Sequence, residues 1–172
     1  EVAVRDPALA RDALAGVRIY EQAVRPPRVQ RTEVLRHGRA SLLSGGGNGP
    51  PVVLVPSLIN RAHVLDLAPG KSLLEWLGQS GFRAMLLDWG MPGAGERDLS
   101  IGGHVERYLV PLLKAIGEPV HLVGYCLGGT MAMAAAQLTA VRSLTLLATP
   151  WHFGRYPDAA RAGLLDIWTK QE

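Results

Sequence analysis

With 172 residues, 48% of them hydrophobic, the chain is long enough for one domain with a proper core and too apolar for disorder. No apolar run approaches the roughly 20 residues that span a bilayer, and the start, EVAVRDPALARDAL, mixes acids with bases and has no secretory h-region. A single cysteine excludes an internal disulfide framework and fits a reducing compartment, so the expected location is the cytoplasm.

Asp6-Pro7 predicts a helix start, with Asp as N-cap and Pro at the first helical position. Leu9, Leu14, Val17 and Tyr20 give that helix an apolar stripe to about residue 22, and Pro26-Pro27 ends it. The formal net charge is +3, and the excess sits here: residues 1–40 hold eight arginines against five acids. A functional basic arm meets nucleic acid, a phosphorylated substrate or an anionic surface. A solvated arginine-rich surface is the plainer reading of RPPRVQRTEVLRHGR and the one favoured here. No aromatic residues alternate with the bases, so no nucleic-acid partner is expected. Residues 32–44 predict two short strands around His37-Gly38, and GGGNGPP (45–51) is a loop.

From there the pattern is regular. PVVLVP (51–56) predicts a buried strand, and KSLLEWLGQS (71–80) a helix closed by Gly81. FRAMLLDW (82–89) is the next strand. A helix follows from Ser100 to about Ile116, kinked at Pro111 and ended by Gly117. VHLVGY (120–125) is a third strand, 127–138 a helix, SLTLLAT (143–149) a fourth strand, and the tail from Pro157 is helical. Strands alternating with helices over short connections predict an α/β architecture: a mostly parallel sheet of about four core strands with helices on both faces, and one sheet edge uncovered. The chain divides into a basic helix and hairpin (1–48), the core (49–150) and a third segment (151–172).

Gly124-Tyr125-Cys126-Leu127-Gly128 has the form of a nucleophile elbow with cysteine in the serine position. Cys126 falls at the carboxyl end of a strand, where open α/β sheets bind their ligands. The elbow forces its central residue into a strained conformation that lifts the side chain above the sheet, and the positions two before and two after it have no room for a Cβ. Gly129 and Thr130 keep the helix close to the strand. The helix start favours a thiolate at Cys126, and the Leu127 N–H faces the place of an oxyanion. The alternative is a buried structural cysteine in a glycine-rich turn. No Gly-Lys-Ser/Thr follows, which excludes a phosphate-binding loop, and no Cys/His spacing supports a zinc site.

An elbow takes its second oxyanion donor from the loop after the first core strand, here VPSLIN (55–60), where position favours the Leu58 N–H. Asn60 is a candidate to hold that loop by hydrogen bonds. Asp88, at a strand end with Trp89, is a candidate for the substrate pocket, though a structural Asp satisfied by turn N–H groups is the stronger reading. Tyr125 is a candidate lining residue. His121 reads as a packed histidine of the third strand, and His63 and His104 as loop and helix-surface residues.

Several stretches together resemble the polyhydroxyalkanoate synthases, of the α/β-hydrolase superfamily: VPSLINRAHVLDLAPGKSLLEWL (55–77), LLDWGMP (86–92), GHVERYL (103–109), GYCLGGT (124–130) and LLATPWHF (146–153). They cover about residues 50–155, in order. Dienelactone hydrolases share GYCLGG but are not expected to carry SLIN, LDL and DWG. The resemblance implies a partial α/β-hydrolase fold and an acyltransferase. It would polymerise (R)-3-hydroxyacyl-CoA into a polyester, with the chain held as a thioester on Cys126, CoA released and no metal or redox cofactor. It further implies an acyl-CoA substrate, a location at the polyester granule surface, and a homodimer or second synthase subunit as partner. The family's catalytic Asp and His lie beyond later strands and match no position of this sequence. His152 stands where the family has Asp, at the entrance of the cap region. The chain begins with Glu rather than Met, as a fragment would, and is expected to be inactive alone. Trp151 and Phe153, with the apolar residues 164–168, read as one face of a cap helix pair. Two rivals are a cysteine-nucleophile ester or lactone hydrolase of the dienelactone-hydrolase type and a truncated, non-catalytic granule-binding paralogue.

Overall fold

A computed structural model describes residues 6–24, 27–155 and 157–169, apart from the side chains of Phe153, Leu164, Ile167 and Trp168. The five residues Pro51–Val55 are all buried and form β3, an inner strand of the sheet. The other strands are β1 (Glu33–His37), β2 (Ala40–Gly46), β4 (Asp66–Ala68), β5 (Lys71–Ser72), β6 (Arg83–Asp88), β7 (Val120–Tyr125) and β8 (Val141–Leu147). The helices are α1 (Pro7–Gln22), α2 (Leu73–Gln79), α3 (Ile101–His104), α4 (Val110–Ala115), α5 (Leu127–Leu138) and α6 (Asp158–Thr169). The main sheet has the order β1-β2-β6-β3-β7-β8. β6, β3, β7 and β8 run parallel. The β1–β2 hairpin continues the sheet through antiparallel pairing of β2 with β6, and β8 forms the other edge.

Side chains alternate across the strands. On one face Val53, Val55, Met85, Leu87 and Leu122 meet Val105, Tyr108, Leu109, Leu112 and Leu113 around α4, and Met131, Ala132 and Ala135 of α5. On the other face Val52, Leu54, Ala84 and Leu86 meet Leu65 and Leu74. Helices therefore cover both faces, as the alternating pattern predicts. Among the described residues no helix is long and apolar enough to cross a membrane.

α1 begins as its sequence dictates, with the Asp6 Oδ1 accepting from Ala8 and Leu9 N–H at 3.1 and 3.0 Å. Its stripe is not used: α1 has no buried residue. It ends at Ala23, whose backbone is extended, before the Pro pair, of which Pro26 lies outside the described residues. Pro111 has a larger effect than a kink. It lacks an N–H and crowds the carbonyl four residues back, and between α3 and α4 the helix widens to π geometry over Val105–Leu109. β8 starts and ends two residues earlier than predicted. Ala148 takes φ +49°, which no strand residue can hold, so Thr149 lies beyond it. The β4–β5 pair is an element the hydrophobic pattern did not predict.

A long-range clamp holds β4. Arg31 donates from Nε and Nη2 to the two Asp66 carboxylate oxygens, both at 2.8 Å, and Glu75 lies 3.6 Å from the same Nη2. The hydrogen bonds from Arg31 hold the Asp66 carboxyl below its usual range, against the upward push of burial, and Ser72 assists. A carboxyl with a lowered folded pKa contributes stability that is complete above its ordinary value near 4 and is lost as pH falls through the folded value. Asp66→Asn is expected to lower stability by about 2 kcal/mol at pH 7, because it breaks a partly buried bidentate pair. Urea midpoints measured against pH should show the gap between parent and variant narrowing below about pH 4. A gap constant down to pH 2 would contradict the role given to the ionised pair.

Candidate active site

β7 brings the chain to the carboxyl end of the sheet, and α5 begins two residues later. Between them Cys126 adopts φ +53°, ψ −130°, a region that costs a side-chain-bearing residue on the order of 1–3 kcal/mol. Two backbone hydrogen bonds fix it. The Cys126 N–H donates to the Leu147 carbonyl at 2.9 Å, and its own carbonyl accepts from the Gly129 N–H at 2.8 Å. The thiol-bearing residue is half-buried.

The packing around it explains the two flanking glycines. A Cβ on Gly124 would lie 2.4 Å from the Gly129 Cα, and one on Gly128 would lie 2.2 Å from the Val55 carbonyl oxygen and 2.5 Å from that of Pro56. Gly129 is equally confined, with the Thr149 Oγ1 1.8 Å from its virtual Cβ. The first turn of α5 is thereby pressed between the exit of β3 and the exit of β8. Thr130 ties the latter by donating to the Pro150 carbonyl at 2.8 Å.

The loop leaving β3 is held by residues that the sequence reading did not single out. The buried Trp89 indole N–H donates to the Pro56 carbonyl at 3.0 Å. Ser57 is fully buried, and its Oγ accepts from the Ile59 N–H at 3.1 Å. Among the described residues nothing hydrogen-bonds to the Leu58 N–H, and Leu127, first in α5, has no intrahelical partner for its own N–H. Asn60, the expected anchor, is exposed and makes no hydrogen bond among the described residues.

The remaining candidates fall into two groups. Leu58, Asn60 and Asp88 line a cavity of about 490 Å³ together with Arg28, Arg61 and His63. Cys126 and Tyr125 are not among its lining residues, and Tyr125 packs against the cluster of Leu54 and Leu86, of which Leu86 also lines the cavity. Asp88 closes its own turn, its Oδ1 accepting from the Gly90 N–H at 2.9 Å. The histidines scatter. His121 bonds through Nδ1 to the Ser143 Oγ at 2.8 Å and meets the Phe82 ring edge-on. His63 and His152 are exposed. His104 is half-buried, with its ring edge-on to Trp89 at 6.2 Å, so it is not a plain surface residue. Trp151 is exposed, whereas the Phe153, Leu164, Ile167 and Trp168 side chains of the expected cap face lie outside the described residues. Among the described residues no group of three or more metal-ligating side chains converges.

Behind Trp89 stands Arg39. It donates from Nη1 to the carbonyls of Trp89 and, at 3.1 Å, Gly90. Its Nε lies 2.8 Å from the Glu96 carboxylate, and its guanidinium lies 4.8 Å above the Tyr108 ring. Burial pushes the Glu96 carboxyl up, but the Gly93 N–H and the charges of Arg39 and Arg107 outweigh it and hold the group below its usual range.

No protein-family model matches the chain. Among curated proteins it is 33% identical over 129 residues to the poly(3-hydroxyalkanoate) polymerase subunit PhaC of Haloferax mediterranei, covering 71% of this chain and 25% of that protein. It is 32% identical over 127 residues to the subunit of the same name from Allochromatium vinosum, covering 70% and 34%. The chain thus spans between a quarter and about a third of the length of these relatives. Among solved structures it resembles MGS-MChE2, an α/β-hydrolase enzyme from the metagenome of sediments of the Mar Chica lagoon, Morocco. The TM-score is 0.55 at 23% identity, covering 67% of this chain and 51% of that one. That likeness establishes the fold.

The contact of Gly128 with the β3 exit gives a direct test. Gly128→Ala is expected to cost more than about 2 kcal/mol, because two backbone carbonyls must move. Gly16→Ala, inside α1 with nothing within 4 Å, is expected to leave stability unchanged or raise it by up to about 1 kcal/mol, read as an unchanged or higher urea midpoint. Equal midpoints for the two variants would show that α5 is not pressed on that loop.

Proposed function

Because the chain belongs to the poly(3-hydroxyalkanoate) polymerase family, we propose that it supplies the nucleophile-bearing part of an acyltransferase that builds a polyester from (R)-3-hydroxyacyl-CoA. The Cys126 thiolate attacks the thioester carbonyl, and the negative charge passes to the carbonyl oxygen, which the Leu127 and Leu58 N–H groups stabilise. The carbon–sulfur bond to CoA then breaks, CoA leaves as its thiol with the proton that Cys126 gave up, and the acyl group stays on Cys126. The 3-hydroxyl of another acyl unit attacks a carbonyl held in this way. Its proton passes to the released sulfur, and one ester forms for each thioester consumed. No redox step enters, and the partner groups are the acyl-CoA and the polyester.

The observation that supports this reading most is the positive φ of Cys126, set between two glycines that touch the neighbouring backbone, at a strand-to-helix turn. A cysteine that was only a small buried residue would gain nothing from that strain.

The test is covalent. Incubated with 3-hydroxybutyryl-CoA at pH 8.5, where thiolates form unaided, the protein is expected to release one CoA for each acyl group found on Cys126 by mass spectrometry. Cys126→Ala is expected to do neither. Hydrolysis of simple esters with no CoA release would support a hydrolase instead, and acylation elsewhere on the chain would remove Cys126 from the role.

A further inference from the structure

The geometry points to Trp89 as the positioning residue of the oxyanion site, acting through the Pro56 carbonyl on the Leu58 amide. This inference rests on the proposed role of Cys126.

The β3 exit loop carries the amide, and its position depends on few restraints. Pro56 has no N–H, so its carbonyl is the one backbone group it offers. That carbonyl lies against Gly128 on one side and accepts the Trp89 indole N–H at 3.0 Å on the other. At the next residue, the buried Ser57 Oγ takes the Ile59 N–H. The Leu58 N–H lies between these two anchors and makes no hydrogen bond among the described residues. The hydrogen bond from Trp89 is buried, so its loss leaves a carbonyl without a partner in a dry place, where the cost is felt by the geometry of the whole turn.

Trp89 is itself well fixed. It is 6% exposed, its carbonyl is held by Arg39, and its ring packs edge-on against His104 in the cluster containing Tyr108. Arg39 is in turn fixed by Glu96 and by the Tyr108 ring. Rigidity therefore runs from the π turn through Arg39 and Trp89 to the Pro56 peptide. A donor that stabilises a developing oxyanion is useful only where it is held to a fraction of an ångström. Trp89 also lines the cavity that Leu58, Asn60 and Asp88 border, but its hydrogen bond is made to the Pro56 carbonyl. Its effect is on the placing of the amide.

Two reactions of the same thiol separate this role from simple support of the fold. Acylation of Cys126 by p-nitrophenyl butyrate passes through an oxyanion, whereas alkylation by iodoacetamide does not. Trp89→Phe keeps a ring and removes the donor. It is expected to slow acylation about tenfold, a share of the effect of losing a donor outright, and to leave alkylation within twofold of the parent. Trp76→Phe, at an exposed tryptophan, is expected to change neither rate. If Trp89→Phe slowed both reactions equally, Trp89 would be only a structural residue. If it slowed neither, the hydrogen bond to Pro56 would not position the amide. A parent protein alkylated but not acylated at Cys126 would overturn the oxyanion site itself, and one inert to both reagents would overturn the nucleophile.

Discussion

The constraint on which the candidate site depends is the contact between the first turn of α5 and the peptide that leaves β3. Gly128 rests on the carbonyls of Val55 and Pro56 with no space for a single extra carbon. Because β3 and β7 are hydrogen-bonded neighbours, this contact sets how far the elbow stands above the sheet and how near the β3 exit loop comes to it. The strain at Cys126 persists because it is over-determined. Its N–H is taken by β8, its carbonyl by Gly129, and Gly124 and Gly129 are themselves in contact. Removing any one of these would let the turn relax towards ordinary backbone angles.

The four parallel strands were legible because each is a short apolar run between turn residues; burial on both faces leaves β3 and β6 little else to be, whereas β8, which has no buried residue at the sheet edge, is marked by its run alone. The elbow was legible for a steric reason, since glycine at both flanks of one residue marks a place where backbones touch. Other features were hidden because their causes lie far off in sequence. β4 and β5 are too short to carry a pattern and depend on Arg31, 35 residues from Asp66. Thr149 looks like a strand residue by propensity, but Ala148 turns the chain before it. Asn60 offered more hydrogen-bonding capacity than Ser57, yet Ser57 is the one buried beside the backbone that needs a partner. The tryptophan donor to Pro56 spans 33 residues, and no local signal announces it.

The arginine-rich stretch shows the same lesson in its charges. A solvated basic surface was the favoured reading. Arg31 instead clamps Asp66, Arg36 pairs with Glu33, and Arg39 spans Glu96, Tyr108 and two carbonyls. Arg31 and Arg39 thus fasten the hairpin and the segment before it to the core, while Arg28 and Arg36 are exposed, as the solvated reading expects. Arg28 is the one of this group that lines the cavity beside the β3 exit loop.

The proton-handling half of the chemistry is distributed differently from the amides. The two N–H groups of the proposed mechanism are backbone amides: the Leu127 amide is placed by the packing of α5, and the Leu58 amide lies between the hydrogen bonds made by Trp89 and Ser57. A general base needs a side chain within reach of the sulfur, about 3 Å or one water away. His121 is on the same strand as the elbow but five residues earlier, which at the rise of an extended strand is roughly 16 Å, and its Nδ1 is engaged by Ser143. His104 is turned to Trp89 and to the Ser100 carbonyl, 2.9 Å from its Nδ1, and His63 lines the cavity that Cys126 does not reach. His152 is exposed, and its side chain makes no hydrogen bond among the described residues. In the proposed reading the described residues therefore supply the electrostatic part of the site, the part that needs rigidity, and none of these histidines is committed to the thiol. That separation is why a reagent with a good leaving group, which needs no proton delivered to it, isolates what this half of the site contributes.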